Sequence, residues 1–400
     1  LAQVTTYLDY NASAPLRPQA RDAMATAMDV LSAGGNPSSV HRAGRMARRL
    51  VEDARREVAQ LALAVPDEVV FTSGGTEANS QAILGTLASG ACTRLIVSAT
   101  EHPSVLDAAR TSGGDLTILP VDAQGVVSLD DLDQALAEDP RPALVCVMAS
   151  NNETGTIQPI PQIVERVTEA GGRLHVDAVQ HAGKLSLSPL VGAHTMALSA
   201  HKIGGPQGVG ALIIRGKGRV EPLLRGGGQE LRRRAGTENV IGIAGFGAVA
   251  GVAADDLPRH LSLAPRRDEL EARTLSISTG TGHAAAVICP AADRLPNTTC
   301  LAFDGVKAET LLMALDLSGV CVSSGSACSS GKVAHSHVLA AMGVRDGLAA
   351  GAVRVSMGWD TQAEDVDRFC TGLEQALKRI RPNEPGATAT GGDAATLAGR

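Results

Sequence analysis

Short apolar runs rich in β-branched residues alternate with polar-faced helical segments through much of this chain, and that alternation leaves few folds open. The runs are Leu95-Ile-Val-Ser98, Asp115-Leu-Thr-Ile-Leu-Pro120, Ala143-Leu-Val-Cys-Val-Met148 and Arg173-Leu-His-Val-Asp177. Pro161-Gln-Ile-Val-Glu-Arg-Val-Thr-Glu-Ala170 is one of the helical segments between them. Strands that each lead into a helix build a mainly parallel sheet covered on both faces, an α/β architecture. Val209-Gly-Ala-Leu-Ile-Ile-Arg215 follows the preceding strand too closely for a crossover helix, so it is expected to pair antiparallel.

A chain of 400 residues is longer than one hydrophobic core usually serves, so two lobes are expected. The stretch 253–272 reads as helical and is broken at Pro258 and Pro265. A second α+β unit follows, from about Ile277 to Ile380, and the Gly-, Ala- and Thr-rich end, 383–400, is expected to be a disordered tail. Seven cysteines without a C-x-x-C pair argue against a disulfide scaffold or a structural metal and for a reducing cytoplasm. The net charge of −6 argues against direct nucleic-acid binding. No apolar run reaches the roughly 18 residues of a membrane span, and the N-terminus has no charged-then-apolar signal pattern.

The chemistry concentrates at strand ends. Met196-Ala-Leu-Ser-Ala-His-Lys-Ile-Gly-Gly-Pro-Gln-Gly208 reads as a strand that stops at small residues, then His201-Lys202, then glycines. Upstream, another strand ends at Asp177. A lysine and an acid so placed in an α/β chain suit a pyridoxal phosphate enzyme: the amine links to the aldehyde, and the carboxylate keeps the pyridine nitrogen protonated. Phe71-Thr-Ser-Gly-Gly-Thr76 ends a strand and opens a helix, which makes Gly75 and Thr76 a candidate phosphate cradle. An ordinary strand-to-helix turn is the plainer alternative for that run taken alone. Arg354, on the alternating run Val353-Arg-Val-Ser-Met357, has the planar fork that binds a carboxylate, although a structural ion pair would explain it too. Cys328 lies in Ser323-Ser-Gly-Ser-Ala-Cys-Ser-Ser-Gly331, a composition foreign to core strands and helices and suited to a loop that carries a nucleophilic sulfur. Cys321, in the preceding apolar run, reads as a packing residue.

These motifs stand in register with others: Tyr7-Leu-Asp-Tyr-Asn-Ala12, Gly35-Asn-Pro-Ser-Ser-Val-His41, Glu101-His102, Asn151-Asn-Glu-Thr-Gly155, Arg225-Gly-Gly-Gly-Gln229 and Arg234-Ala-Gly-Thr-Glu-Asn239. In this order the chain resembles, over roughly residues 5 to 380, the cysteine desulfurases of the nitrogen-fixation and iron-sulfur-assembly type, which are fold-type I, class V aminotransferase enzymes. The resemblance implies a large domain, 15–255, with a mainly parallel seven-stranded sheet that binds pyridoxal 5′-phosphate. It implies a smaller α+β domain made of 1–14 and 256–382 that carries the cysteine loop. Lys202, Cys328 and His102 are then the catalytic residues, His102 stacking on the ring and carrying a proton. Asp177 serves the ring nitrogen, Gln180 the phenolic oxygen, and Gly75, Thr76, Ser199 and His201 the phosphate. Thr237 reaches a phosphate across a homodimer interface, and Asn152 and Arg354 bind the substrate carboxylate. The implied reaction converts L-cysteine to L-alanine and leaves a persulfide on Cys328, whose sulfur passes to an acceptor such as an iron-sulfur scaffold protein. A selenocysteine lyase or a class V aminotransferase of the same fold is the alternative. One stretch departs from the family pattern: Glu230-Leu-Arg-Arg-Arg-Ala-Gly-Thr237 stands where members often have Arg-Gly-Met-Arg-Ser/Ala-Gly-Thr, with the positive charge kept.

Overall fold

The computed structural model describes residues 5–216, 218–325 and 336–380. Cys328 and the segment 383–400 lie outside the described residues. Seven strands form the larger sheet in the spatial order Val69–Thr72, Gly210–Ile214, Thr195–Ser199, Arg173–Asp177, Ala143–Cys146, Arg94–Ser98 and Asp115–Leu119. Gly210–Ile214 runs antiparallel to both neighbours, and the other pairings are parallel. The short connection after Lys202 therefore does what its length requires. The interior strands are buried along their length, whereas the edge strand Asp115–Leu119 is largely exposed. That difference explains why its run alternates with polar residues while the others are apolar throughout.

Helices Pro18–Ser32, Arg42–Leu61 and Val240–Ala253 pack on this sheet through Ala47, Val51, Ala54, Ile243 and Phe246. Val240–Ala253 is apolar all round and almost wholly buried, so it is a core helix. Its approach to Arg42–Leu61 depends on Gly247, where a Cβ would meet the Cα of Ala54 at 2.5 Å. No single helix among the described residues is long and apolar enough to cross a membrane.

A second, antiparallel sheet has the order Ser323–Ser324, Ala352–Ser356, Thr298–Phe303 and Ala285–Val287. Helices Ala264–Gly280, Ala308–Leu317 and Ala363–Arg379 close a separate core over it, with Leu270, Leu311, Phe303, Phe369 and Leu373 inside. Pro258 and Pro265 both fall in the first turn of a new helix, where a missing N–H costs nothing. The predicted breaks are helix starts.

The N-terminal segment joins the two units. Thr6–Tyr7 pairs in parallel with Val320–Cys321 of the second unit. The chain then crosses over: Asn11 N–H donates to Ser356 Oγ, Ala14 N–H to His201 O, and Arg17 N–H to Gly204 O. Residues 9–14 thus run beside the ends of the parallel strands, the edge at which open α/β sheets collect ligands.

Candidate active site

At that edge lies a cavity of about 600 Å³. Gly75, Thr76, His102, Asn152, Asp177, Gln180, Ser199, His201, Lys202 and Arg354 all line it. Residues from both units do so, since Leu312, Val322 and Ser323–Ser324 contribute to the same wall. Gly325, where the described chain pauses before Cys328, also lies on it. Thr237 does not. It lines a different cavity of about 180 Å³, with Ser73, Arg234 and Glu238.

Lys202 closes a single 3₁₀ turn, Ala200–Lys202, directly after the strand Thr195–Ser199. Its Nζ donates to the carbonyls of Asn11, at 2.7 Å, and Ala12, at 2.9 Å. Withdrawal from water and then the Arg354 guanidinium push its pKa down to about 8, against the pull of Asp177 and Asp9. Near neutral pH a useful fraction of the amine is therefore uncharged and nucleophilic. His201 beside it is pushed down to about 4, by burial and then by Lys202.

Asp177 ends its strand with both carboxylate oxygens engaged. Oδ1 accepts from Val179 N–H at 2.9 Å and Oδ2 from Asn79 Nδ2 at 2.8 Å. Gln180 Nε2 donates to Asn11 O at 2.9 Å, while its Oε1 accepts from Lys184 Nζ at 2.7 Å. Lys184 is buried behind the cavity and also donates to Asn11 Oδ1 at 2.7 Å. Burial, with Lys202 and Arg354 nearby, holds its pKa well below the usual lysine value.

His102 caps the helix Pro103–Thr111, its Nδ1 accepting from Ser104 N–H at 3.1 Å. Loss of solvation lowers its pKa, as do Lys202 and His337, with Asp177 opposing. Arg354 Nη2 donates to Asp9 Oδ1 at 2.7 Å and Nη1 to Asn152 O at 3.2 Å. Its Nε is buried without a partner.

Sequence reading left several of these groups unassigned. Asn11, Asn79, Ser104 and Ser150 line the cavity and were singled out by no reading as site residues. Glu101 is fully buried, accepts from Met148 N–H at 2.6 Å through Oε1, and leaves Oε2 without a partner. Burial and then Asp177 hold its carboxyl well above the usual range. Glu153 is also buried and is pushed up to about 7 by burial, in spite of Ser336 and Arg354. Contacts with partners remote in sequence identify such groups, 47 positions off for Glu101 and 183 for Glu153.

The donor set fits pyridoxal phosphate. The helix Gly75–Ala88 starts with no side-chain cap, so its first-turn N–H groups can serve an anion. A Cβ at Gly75 would come within 2.8 Å of Val179 Cγ2, so any larger residue there would have to push Val179 aside. An amine lowered toward neutrality, an acceptor-only carboxylate and an orphaned arginine N–H complete the requirements of an aldehyde, a ring nitrogen and a substrate carboxylate. Among the described residues no group of His, Cys, Asp and Glu side chains could hold a metal.

A family model described as "Aminotransferase class-V" matches residues 6–369. The cysteine desulfurase IscS of Dictyoglomus turgidum is 39% identical over 391 residues, which cover 95% of this chain and 96% of that protein. A cysteine desulfurase of Cereibacter sphaeroides is 42% identical over 389 residues, covering 95% and 97%. Among solved structures, a NifS-like protein from Rickettsia africae superposes with a TM-score of 0.82 at 30% identity, covering 93% of this chain and 99% of that one.

Proposed function

We propose, for a chain that belongs to the class-V aminotransferase family and is a pyridoxal phosphate-dependent cysteine desulfurase, that Lys202 and Asp177 work the cofactor while Cys328 takes the sulfur. The observation that carries this division is that Lys202 and Asp177 share one cavity with Ser323, Ser324 and Gly325, the residues that lead to Cys328. A pure amino-transfer enzyme has no use for that approach to a thiol.

When bound, pyridoxal phosphate supplies an aldehyde that exchanges amines and a pyridine ring that draws off the electron pair left by the α-proton. Gly75, Thr76, Ser199 and His201 would hold its phosphate, Asp177 would keep the ring nitrogen protonated, and Gln180 would serve the phenolic oxygen. His102, which lines the same cavity, would face the ring and carry a proton toward the departing sulfur. Asn152 and Arg354 orient the cysteine carboxylate. The Lys202 Nζ amine would take the α-proton of the bound substrate and later return it. Cys328 Sγ attacks the substrate sulfur as a thiolate. The carbon–sulfur bond breaks, its electron pair passes to the substrate carbon, and protonation there yields L-alanine. The sulfur remains on Cys328 as a persulfide and moves on to an acceptor protein, an iron-sulfur scaffold by preference, in a reducing cytoplasm.

The same reading divides the chain into a cofactor-binding unit, 15–255, and a smaller unit of 1–14 and 256–382. It makes the enzyme a homodimer in which Thr237 of each chain reaches the other's phosphate. The distance of Thr237 from its own chain's main cavity supports this, as it lines the smaller one instead.

The test is the release of alanine from L-cysteine by the purified, cofactor-loaded chain, with sulfide released once a thiol reductant is added, and with L-selenocysteine in a parallel reaction. Alanine from cysteine, with a persulfide at Cys328 in the mass spectrum, is the expected result. Alanine only from selenocysteine, or full activity from a monomer, would overturn the corresponding part of the reading.

A further inference from the structure

Asn79 sits at the fork of a hydrogen-bond string that reaches two active-site groups. On one side its Nδ2 donates to Asp177 Oδ2 at 2.8 Å and to Ser104 Oγ at 3.0 Å. Ser104 Oγ lies 2.8 Å from His102 Nδ1. On the other side Asn79 Oδ1 lies 3.0 Å from His175 Nε2, and His175 Nδ1 lies 2.9 Å from Thr195 Oγ1. His175 is fully buried and stays out of the cavity.

The direction of the string follows from its ends. An ionised carboxylate only accepts, so the Asn79 amide turns its NH2 to Asp177 and its carbonyl to His175. That carbonyl needs a donor, which fixes the imidazole proton on Nε2 and leaves Nδ1 to accept from the Thr195 hydroxyl. With its hydroxyl oxygen accepting from Asn79, Ser104 has its own proton free for His102 Nδ1, which already accepts the Ser104 backbone N–H. The opposite tautomer of His175 would turn the amide over. Two acceptors would then face each other across the 2.8 Å gap at Asp177, a clash relieved only by protonating the carboxyl.

We infer that His175 is a positioning residue, which fixes the Asn79 amide and thereby keeps Asp177 an acceptor-only carboxylate and His102 Nδ1 an acceptor. This rests on the assignment of Asp177 to the cofactor's ring nitrogen. Complete burial, which pushes the His175 pKa down to about 4, is in keeping with a ring that stays neutral while it does so.

Nitrogen-15 spectra of the histidine side chains in the full, cofactor-free chain read the tautomer directly, with His175→Gln used to assign the signals. The expected result is His175 protonated on Nε2 alone and unchanged between about pH 5.5 and pH 8.5. A proton on Nδ1, or titration within that range, would overturn the inference. Cofactor affinity gives the second readout. His175→Phe has no donor and should bind pyridoxal phosphate about tenfold more weakly, whereas His175→Gln, which can offer an N–H where Nε2 stood, should stay within about threefold. Unchanged affinity in His175→Phe alongside a large loss in Asp177→Asn would sink the inference and spare the Asp177 assignment. Unchanged affinity in Asp177→Asn would sink the assignment itself.

Discussion

Arg354 Nη2 donates to Asp9 Oδ1 at 2.7 Å, and Asp9 Oδ2 accepts from Ser323 Oγ at 2.6 Å. One carboxylate thus sets the plane of the guanidinium and ties it to the strand that leads toward Cys328. Asp9→Ala should leave Arg354 mobile and raise the KM for cysteine about tenfold with a smaller change in kcat, the pattern of lost ground-state binding. It should also lower stability by about 3 kcal/mol, since the arginine loses its partner in a mostly buried site. Steady-state kinetics with a melting curve check both. A lower Tm with an unchanged KM would mean that the ion pair is structural only.

Lys202 gives a pH signature. With a pKa near 8, its neutral fraction rises steeply up to about pH 8 and then levels off. The rate at which cofactor-free chain captures pyridoxal phosphate should rise about fivefold from pH 7 to pH 8 and less than about twofold beyond. The stability effect has a definite sign. A lysine whose pKa falls on folding destabilises the native state at low pH, and the penalty fades as pH rises from about 8 through the unfolded value of 10.5. Lys202→Met should accordingly raise the Tm at pH 7, abolish turnover, and remove the borohydride-reducible link to cofactor.

The two cysteines nearest in sequence to the site should separate cleanly. Cys328→Ser should bind cofactor and show the absorbance change that cysteine produces, yet release alanine at least about a hundredfold more slowly and carry no persulfide. Cys321 is half-buried, and burial, Asp316 and Asp9 raise its thiol pKa. It is a poor thiolate, so Cys321→Ser should retain most of the activity. Alanine assays and intact mass read both variants, and the reverse pattern would exchange the roles.

Glu153 is the fourth case. Ser336 Oγ donates to Glu153 Oε2 at 2.5 Å, and a Cβ on Gly325 would stand 2.4 Å from the same oxygen. The last described residue before Cys328 and the first one after it therefore both abut one carboxyl. Because its pKa rises on folding, from 4.5 to about 7, ionisation destabilises the native state as pH climbs through that window. Glu153→Gln should be more stable than wild type above pH 7, by something on the order of 3 kcal/mol, and nearly equal to it at pH 4.5. Denaturant melts at the two pH values decide the matter. Gly325→Ala should force the carboxyl aside and slow sulfur transfer more than cofactor binding.

Strand-end chemistry is local, which is why Asp177 and Lys202 could be picked out from the sequence and the antiparallel strand after Lys202 from loop length alone. The central strands were legible because burial on both faces leaves continuous apolar runs. Other features have no local signature. Asn11 serves Gln180, Lys184, Lys202 and Asn152 at once, its partners reach as far as Ser356, 345 positions away, and no local pattern gives it that role. His175 and Asn79 received no role from the sequence because a buried polar residue is intelligible only with its partner, here 96 positions off. Arg354 shows the converse. Its two readings, structural pair and carboxylate fork, were posed as rivals, and the geometry lets Asp9 hold one edge of the guanidinium while Nε stays unpartnered.

The pairing of Thr6–Tyr7 with Val320–Cys321 also governs when the enzyme comes into being. On a ribosome the first of these segments emerges long before the second exists. The larger sheet can close early on its own neighbours, but residues 9–14 cannot settle against it until most of the second unit has been translated. Asn11, and with it the resting place of the Lys202 amine, is among the last parts to be set. A chain released too soon would own the lysine and the aspartate without the floor that orders them.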